Sequence, residues 1–272
     1  MSNLSVPEHA GAWAGRDLGT RRVAWTERDA ILFALAVGVP ADRLDLVFED
    51  RLRVLPTFAL TLAQWAPDAL GAGGAFAVGT ALHGAQRLDV LGPLPPRGEL
   101  DLSARVAAVW DKGSAAVFDV EVSSKMFRAT WSIFAPGAGG FGGERGPARP
   151  AGPDTPATWS RDLSVAPNAA ALYRLLGDRH HIHIDPAAAA GIGQPRPILH
   201  GLATLAAAAV VLADRAHAHP ADLVRLEGRF SSVVFPGETA GVDAWDDGRF
   251  RVRTERGVAI EGGTAEFEEE HA

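Results

Sequence analysis

The stretch Tyr173–Leu205, YRLLGDRHHIHIDPAAAAGIGQPRPILHGLATL, crowds Asp178, His180, His181, His183 and His200 beside two turn signals and the start of an Ala-rich helix. Just before and into it, Ala169, Leu172, Tyr173 and Leu176 recur at the spacing that lines one helical face. Asn168 to Leu176 therefore reads as a short helix, which Gly177 ends. Asp178 and His183 follow in irregular chain, where a loop can curl both side chains toward one point. Asp185 is placed to cap a second short helix with Pro186 at its first position. After Pro195-Arg196-Pro197 comes the strongest helical signal in the chain, Leu199 to Ala213, whose start carries His200 and Gly201. Free backbone N–H groups at that start, with the helix dipole, favour negative charge nearby. A base, an acid and an anion cradle thus fall within one stretch.

The whole chain has 272 residues, 47% hydrophobic and 22% charged, which suits a globular protein with one large or two small domains. A net charge of -7 argues against nucleic acid as a partner, so an anionic ligand would need a local basic patch. There are no cysteines, which excludes disulfides, thiolate chemistry and Cys-ligated zinc. No run of about eighteen apolar residues predicts a membrane span. The opening MSNLSVPEHAGAWAG lacks the pattern of a secretory signal, and the closing EEEHA carries no peroxisomal address. A cytoplasmic location is the expectation.

Upstream, residues 1 to 20 are polar and Gly-rich, with order expected only in part. Thr26 to Val37 predicts a helix capped by Thr26 and closed by Gly38, whereas Val54 to Trp65 is ambiguous between strand and helix. From Gln86 the pattern alternates. Leu88 to Leu91, Leu100 to Trp110, Ala115 to Val122 and Phe127 to Phe134 predict strands, with a hairpin at Asp111-Lys112-Gly113. Ala135 to Thr158 is so rich in Gly and Pro that it reads as a crossing segment. Its glycines form no phosphate loop, since no Gly-Lys-Ser/Thr follows. Beyond the central helix, Val224 to Phe235, Thr239 to Trp245, Arg249 to Thr254 and Val258 to Phe267 predict a second set of strands, with a hairpin at Asp246-Asp247-Gly248.

The two sets repeat in order. Asp29 to Gly38 lies about 140 residues before Asn168 to Gly177, and Leu55 to Ala63 lies 144 before Leu199 to Ala207. Pro96 to Glu99 likewise precedes Pro236 to Glu238, and Lys112-Gly113 precedes Asp247-Gly248. These correspondences suggest a duplicated helix-plus-sheet unit, an α+β architecture.

Tyr173, Gly177, Asp178, Ile182 and His183, followed by His200, Gly201 and Leu202, resemble the hydratase-2 motif of the MaoC-like, (R)-specific enoyl-CoA hydratases. His180 stands where that family has Asn, and His181 where it has Pro. The resemblance extends over most of the chain, through Leu55-Pro-Thr-Phe58, His83-Gly84, Asp111-Lys112-Gly113, Ser132 to Pro147, Arg229-Phe230 and Phe235 to Glu238. It implies a double hot-dog fold, two helix-wrapped antiparallel sheets fused in one chain. The division follows as residues 1–134 for a degenerate, acyl-binding unit, 135–158 for the linker and 159–272 for the catalytic unit. After Gly38 the first unit has Val39-Pro40 where the second has Asp178 and the histidines.

The resemblance implies reversible hydration of a trans-2-enoyl-CoA to the (3R)-3-hydroxyacyl-CoA, with an acyl-CoA thioester as substrate and no cofactor or metal. Asp178 and His183 would hold and activate one water, each worth about 10²–10⁴-fold as acid or base. The Gly201 N–H would stabilise the enolate-like thioester oxygen, at roughly 3 kcal/mol. Substrate contacts carry over to His83, Gly84, Lys112, Gly201 and Phe230, with His180 and His200 beside them. Lys112 also reads as a solvated turn lysine, His83 and Gly84 as a strand start, and Phe230 as core. Three other readings stand against hydration. They are a metal site on His180, His181, His183 and Asp178, a non-catalytic acyl-CoA-binding protein, and a hot-dog thioesterase. The two units can pair internally, which still leaves room for a homodimer.

Overall fold

Alternation decides where the strands lie: Leu100, Leu102, Ala104 and Val106 are buried while the residues between them face outward. The computed structural model describes residues 9–148, 152–153 and 155–268. The expectations for residues 1–8 and for all of the closing EEEHA beyond Glu268 fall outside these. Within them the chain runs β1 (Asp17–Trp25), α1 (Glu27–Ala36), α2 (Leu44–Val47), α3 (Ala59–Ala63), α4 (Trp65–Ala72), β2 (Leu82–Val90), β3 (Gly98–Asp111), β4 (Ala115–Ser123) and β5 (Phe127–Pro136). After the Gly/Pro segment come β6 (Trp159–Ser164), α5 (Ala169–Tyr173), α6 (Pro186–Gly191), α7 (Gly201–Arg215), β7 (Leu223–Phe230), β8 (Thr239–Ala244), β9 (Arg249–Thr254) and β10 (Gly257–Phe267).

The strands form one ten-stranded sheet in the order β1-β3-β4-β5-β2-β7-β10-β9-β8-β6. Each half contributes five strands in mirrored order, so the fold is a double hot-dog. The halves are zipped at their central edges by β2 and β7, antiparallel from Ala85↔Arg229 to Asp89↔Arg225. Central pairing of this kind removes two edges that would otherwise present open backbone groups.

The helices carry the asymmetry. In the second half α7 is continuous over 15 residues, with Leu202, Leu205 and Leu212 buried among alanines. Gly228 of β7 lets the sheet approach the helix closely, because a Cβ there would lie 2.9 Å from Leu205. In the first half the matching segment is helical, which resolves the ambiguity of Val54 to Trp65, but it is broken between α3 and α4. Pro67 lacks the N–H that would donate to the Ala63 carbonyl, and its ring crowds that carbonyl, so the break falls where α3 ends.

Several boundaries differ from the sequence expectations. The Asn168 to Leu176 helix is α5 followed by a 3₁₀ turn, Arg174–Leu176. The central helix starts at Gly201, not Leu199, whose N–H is taken by the Val234 carbonyl. β7 ends at Phe230 rather than Phe235, because Ser231 and Ser232 both donate to the single Ala259 carbonyl of β10 and the ladder breaks there. β1 and β6 had no alternating signal. They are the end strands of the sheet, mostly exposed, and so carry little apolar pattern. The crossing segment is tied down at its start, where the Asp111 carboxylate accepts from the N–H groups of Gly113, Gly140 and Gly142.

Candidate active site

Gly177, at φ 141°, turns the chain sharply out of the 3₁₀ turn, a backbone conformation that suits glycine. The loop that follows is held by its own polar groups. Asp178 Oδ1 accepts from the His180 N–H at 3.1 Å, His180 Nδ1 accepts from the Ile182 N–H at 3.4 Å, and His181–His183 forms a 3₁₀ turn. Asp185 caps α6 by accepting from the Ala187 N–H at 2.8 Å, which closes the loop as expected.

His183 is buried, 7% exposed, and its Nδ1 is 2.9 Å from the Ile198 carbonyl oxygen. A carbonyl only accepts, so Nδ1 carries the proton and Nε2 is left as a lone pair. Burial holds the His183 pKa below the ordinary histidine value, opposed by the charge of Asp178. A neutral imidazole is the form that can accept a proton from water. Asp178, His183 and His200 each bring one ligand-type atom within 4.8 Å of the other two. That spacing lets a single water hydrogen-bond to Asp178 and His183 together.

The same cluster makes a poor metal cradle. The rings of His183 and His200 stack face to face, centroids 3.6 Å apart and planes 24° from parallel. In-plane lone pairs on stacked rings run side by side and do not converge on one ion. His180 and His181, named with Asp178 and His183 in the metal reading, are exposed and outside the cluster.

Next to the pair, α7 begins at Gly201 with first-turn N–H groups that the helix itself cannot satisfy. A Cβ on Gly201 would meet the Phe230 ring at 3.0 Å, so that ring packs on the helix start. Phe230 in turn meets His83 edge-on at 4.7 Å, and His83 Nε2 donates to the Ala85 carbonyl at 3.0 Å. Burial pushes the His83 pKa down to about 4. Gly84 sits at the β2 irregularity beside it, 3.2 Å by its virtual Cβ from the Ser132 carbonyl oxygen. The structure thus gathers His83, Gly84, Gly201 and Phe230 at the seam between the halves. Lys112 lies at the β3–β4 turn, where its ammonium donates to the Arg145 carbonyl. His180 is exposed, its ring 6.3 Å from that of His183. His200 is 2% exposed, stacked on His183 with the Tyr173 ring tilted at 40° on it.

The MaoC like domain matches residues 150–266, and the MFE-2 hydratase 2 N-terminal domain matches residues 24–136. The enoyl-CoA hydratase ChsH3 of Mycobacterium tuberculosis is 37% identical over 86% of this chain and 88% of its own. The chain belongs to the MaoC-like hydratase family. Another relative, the peroxisomal enoyl-CoA hydratase 2 of Arabidopsis thaliana, is 33% identical over 84% of both chains. A MaoC-like dehydratase from Phytophthora capsici shares the fold of this MaoC-like chain, with a TM-score of 0.86 over 97% of it and 98% of the other, at 24% identity. Sequence reasoning found the members of the loop. It missed the stacking of His200 on His183, because face-to-face contact between residues 17 apart in the chain leaves no periodic signal.

Proposed function

We propose that this protein hydrates trans-2-enoyl-CoA reversibly to (3R)-3-hydroxyacyl-CoA, as a hydro-lyase. The observation that carries the reading is that a ring nitrogen of a neutral, buried His183 and the Asp178 carboxylate lie within 4.8 Å of each other, beside the start of α7. Asp178 and His183 hold one water. His183 takes its proton as oxygen adds to C3 of the enoyl group, and the acid so formed returns a proton to C2. Between these events charge collects on the thioester oxygen, which the Gly201 N–H receives. A neutral His183 suits the first step and a nearby Asp178 carboxylate stabilises its protonated form in the second.

His83, Gly84, Phe230 and Lys112 receive the acyl-CoA, with His180 at the loop rim. The division of labour is residues 1–134 for acyl binding, 135–158 as linker and 159–272 for chemistry. Support for a binding role in the first half comes from a cleft of about 600 Å³ that opens beside Gly177, lined by Leu62, Trp65, Ala69 and Ala72 with Arg21 and Asp68 at hand. We further propose a homodimer and a cytoplasmic location. Among the described residues no helix is long and apolar enough to cross a membrane.

Incubation with trans-2-enoyl-CoAs of graded chain length, with the 3-hydroxyacyl-CoA enantiomers resolved, tests the reading. Predominantly (3R) product supports it. Predominantly (3S) product, or release of CoA without hydration, overturns it.

A further inference from the structure

Four rings run in file across the seam between the halves. Phe33 of α1 packs on Tyr173 of α5 at 5.9 Å, Tyr173 on His200 at 4.6 Å, and His200 on His183 at 3.6 Å. His200 also reaches the other member of the candidate pair, since its Nε2 is 3.2 Å from the backbone carbonyl oxygen of Asp178.

We propose that His200 is a positioning residue for the hydration reaction, fixing His183 through its ring face and Asp178 through its main chain, while Tyr173 of the same half, backed by Phe33 of the first half, braces it. The inference rests on the hydration reading for its consequences in catalysis, but its geometry stands apart from it.

The physical case is one of restraint. An imidazole turns freely about its terminal torsion unless both an edge and a face are held. The edge of His183 is held by Nδ1–H donation to Ile198, and its face by His200, so the Nε2 lone pair has one direction. Asp178 follows a glycine and lies in no strand or helix, so nothing in regular structure fixes its carbonyl. Donation from His200 supplies that anchor. Geometry held to within a fraction of an ångström is what a shared water needs, and a misplacement of about 1 Å can cost roughly 10²-fold.

This arrangement also fixes the charge state. Because a carbonyl only accepts, Nε2 of His200 bears the proton, and Nδ1 is a buried lone pair with no partner. Burial and then the charge that His183 can carry both hold His200 neutral. The groups that act on His183 are Asp178, His180, Arg174 and His200, with the Ile198 carbonyl at its edge. A neutral His200 fills the space beside His183 without adding a charge to it.

Two variants of the full chain separate the two contacts. His200→Phe keeps a ring against His183 but has no N–H for Asp178. It should lower kcat by about 10- to 100-fold with KM unchanged, and leave the acid limb of the kcat/KM profile where it is. His200→Gln keeps an amide donor but exposes the face of His183. It should retain more of kcat, and its acid limb should move to higher pH as His183 becomes better hydrated. A rise in KM at unchanged kcat in both variants would mean direct substrate contact and overturn the proposal, as would two wild-type profiles. Nitrogen-detected NMR of the unmodified protein decides the point without any variant. His200 should remain the neutral Nε2–H tautomer from pH 5 to 8, and protonation within that range, or the Nδ1–H tautomer, overturns it. Failure of the unmodified chain to hydrate any enoyl-CoA overturns the hydration reading instead, and the tautomer measurement still stands.

Discussion

The turn after α1 and the turn after α5 occupy equivalent places in the two halves, and their helices pack on each other across the seam. Both turns pass through a positive-φ glycine, Gly38 at 89° and Gly177 at 141°. Beyond that they diverge. The first continues with Val39, buried at 4% exposure, and Pro40, while the second continues with Asp178 and the loop that delivers His183. The helices diverge as well, broken by Pro67 in the first half and continuous in the second. A shared skeleton therefore carries two different turns. Where the polar loop and the intact helix start coincide, there is a candidate site. Where the helix is interrupted and the turn is apolar, the polar loop is missing, and the cleft beside the broken helix reaches Gly177 of the other half.

The sharpest way to test the contrast is to remove the loop's chemistry. Asp178→Asn and His183→Ala should each lower kcat by about 10²–10⁴-fold with folding intact, and the double variant should lose little more than the worse single one. Full additivity in steady-state assays would mean that the two act independently. The reverse experiment imposes the second half's residue on the first. Val39→Asp should create no second site and should cost about 3 kcal/mol of stability, because it buries a carboxylate with no partner. Chemical denaturation measures this, and an unchanged midpoint would show the turn to be open to polar residues.

Acid should distinguish the halves more gently. An unfolded histidine titrates near pH 6.5, whereas His83 is held at about 4 and His183 and His200 are also held down, each mainly by burial. The unfolded chain then binds protons first as the pH drops. Stability from these three groups is complete above about pH 6.5 and is lost as the pH falls toward about 4. Thermal melts between pH 7 and 4 should show the decline, with His83→Gln removing the first half's share; a flat Tm would contradict the burial. The smallest effect is expected at His180. Its exposed ring accepts from the Ile182 N–H through Nδ1. His180→Asn should keep or gain activity, since its amide can make the same contact, and steady-state rates equal to the parent's would reduce His180 to a solvated loop residue.

Much of the candidate site is legible in the sequence. The turn at Gly177, the loop that carries Asp178 and His183, the Asp185 cap and the existence of α7, though not its first residue, were readable, because turns and caps depend on residues a few positions apart. The strands with one buried face were readable for the same reason, since alternation is local. β1 and β6 were not, because strands at the ends of a sheet face solvent and carry no alternation.

By itself, the sequence determined the duplicated order of elements, the hairpin glycines and the loop that holds Asp178 and His183. Tertiary structure alone decided that the two halves join through β2 and β7, and that His83 and Phe230, far apart in the chain, meet beside Gly201. It alone set His200 against His183 with its Nε2 on the Asp178 carbonyl. The reason is physical. Local spacing fixes which backbone groups a residue can satisfy, but ring faces and buried lone pairs find their neighbours only when the sheet has closed over the helix.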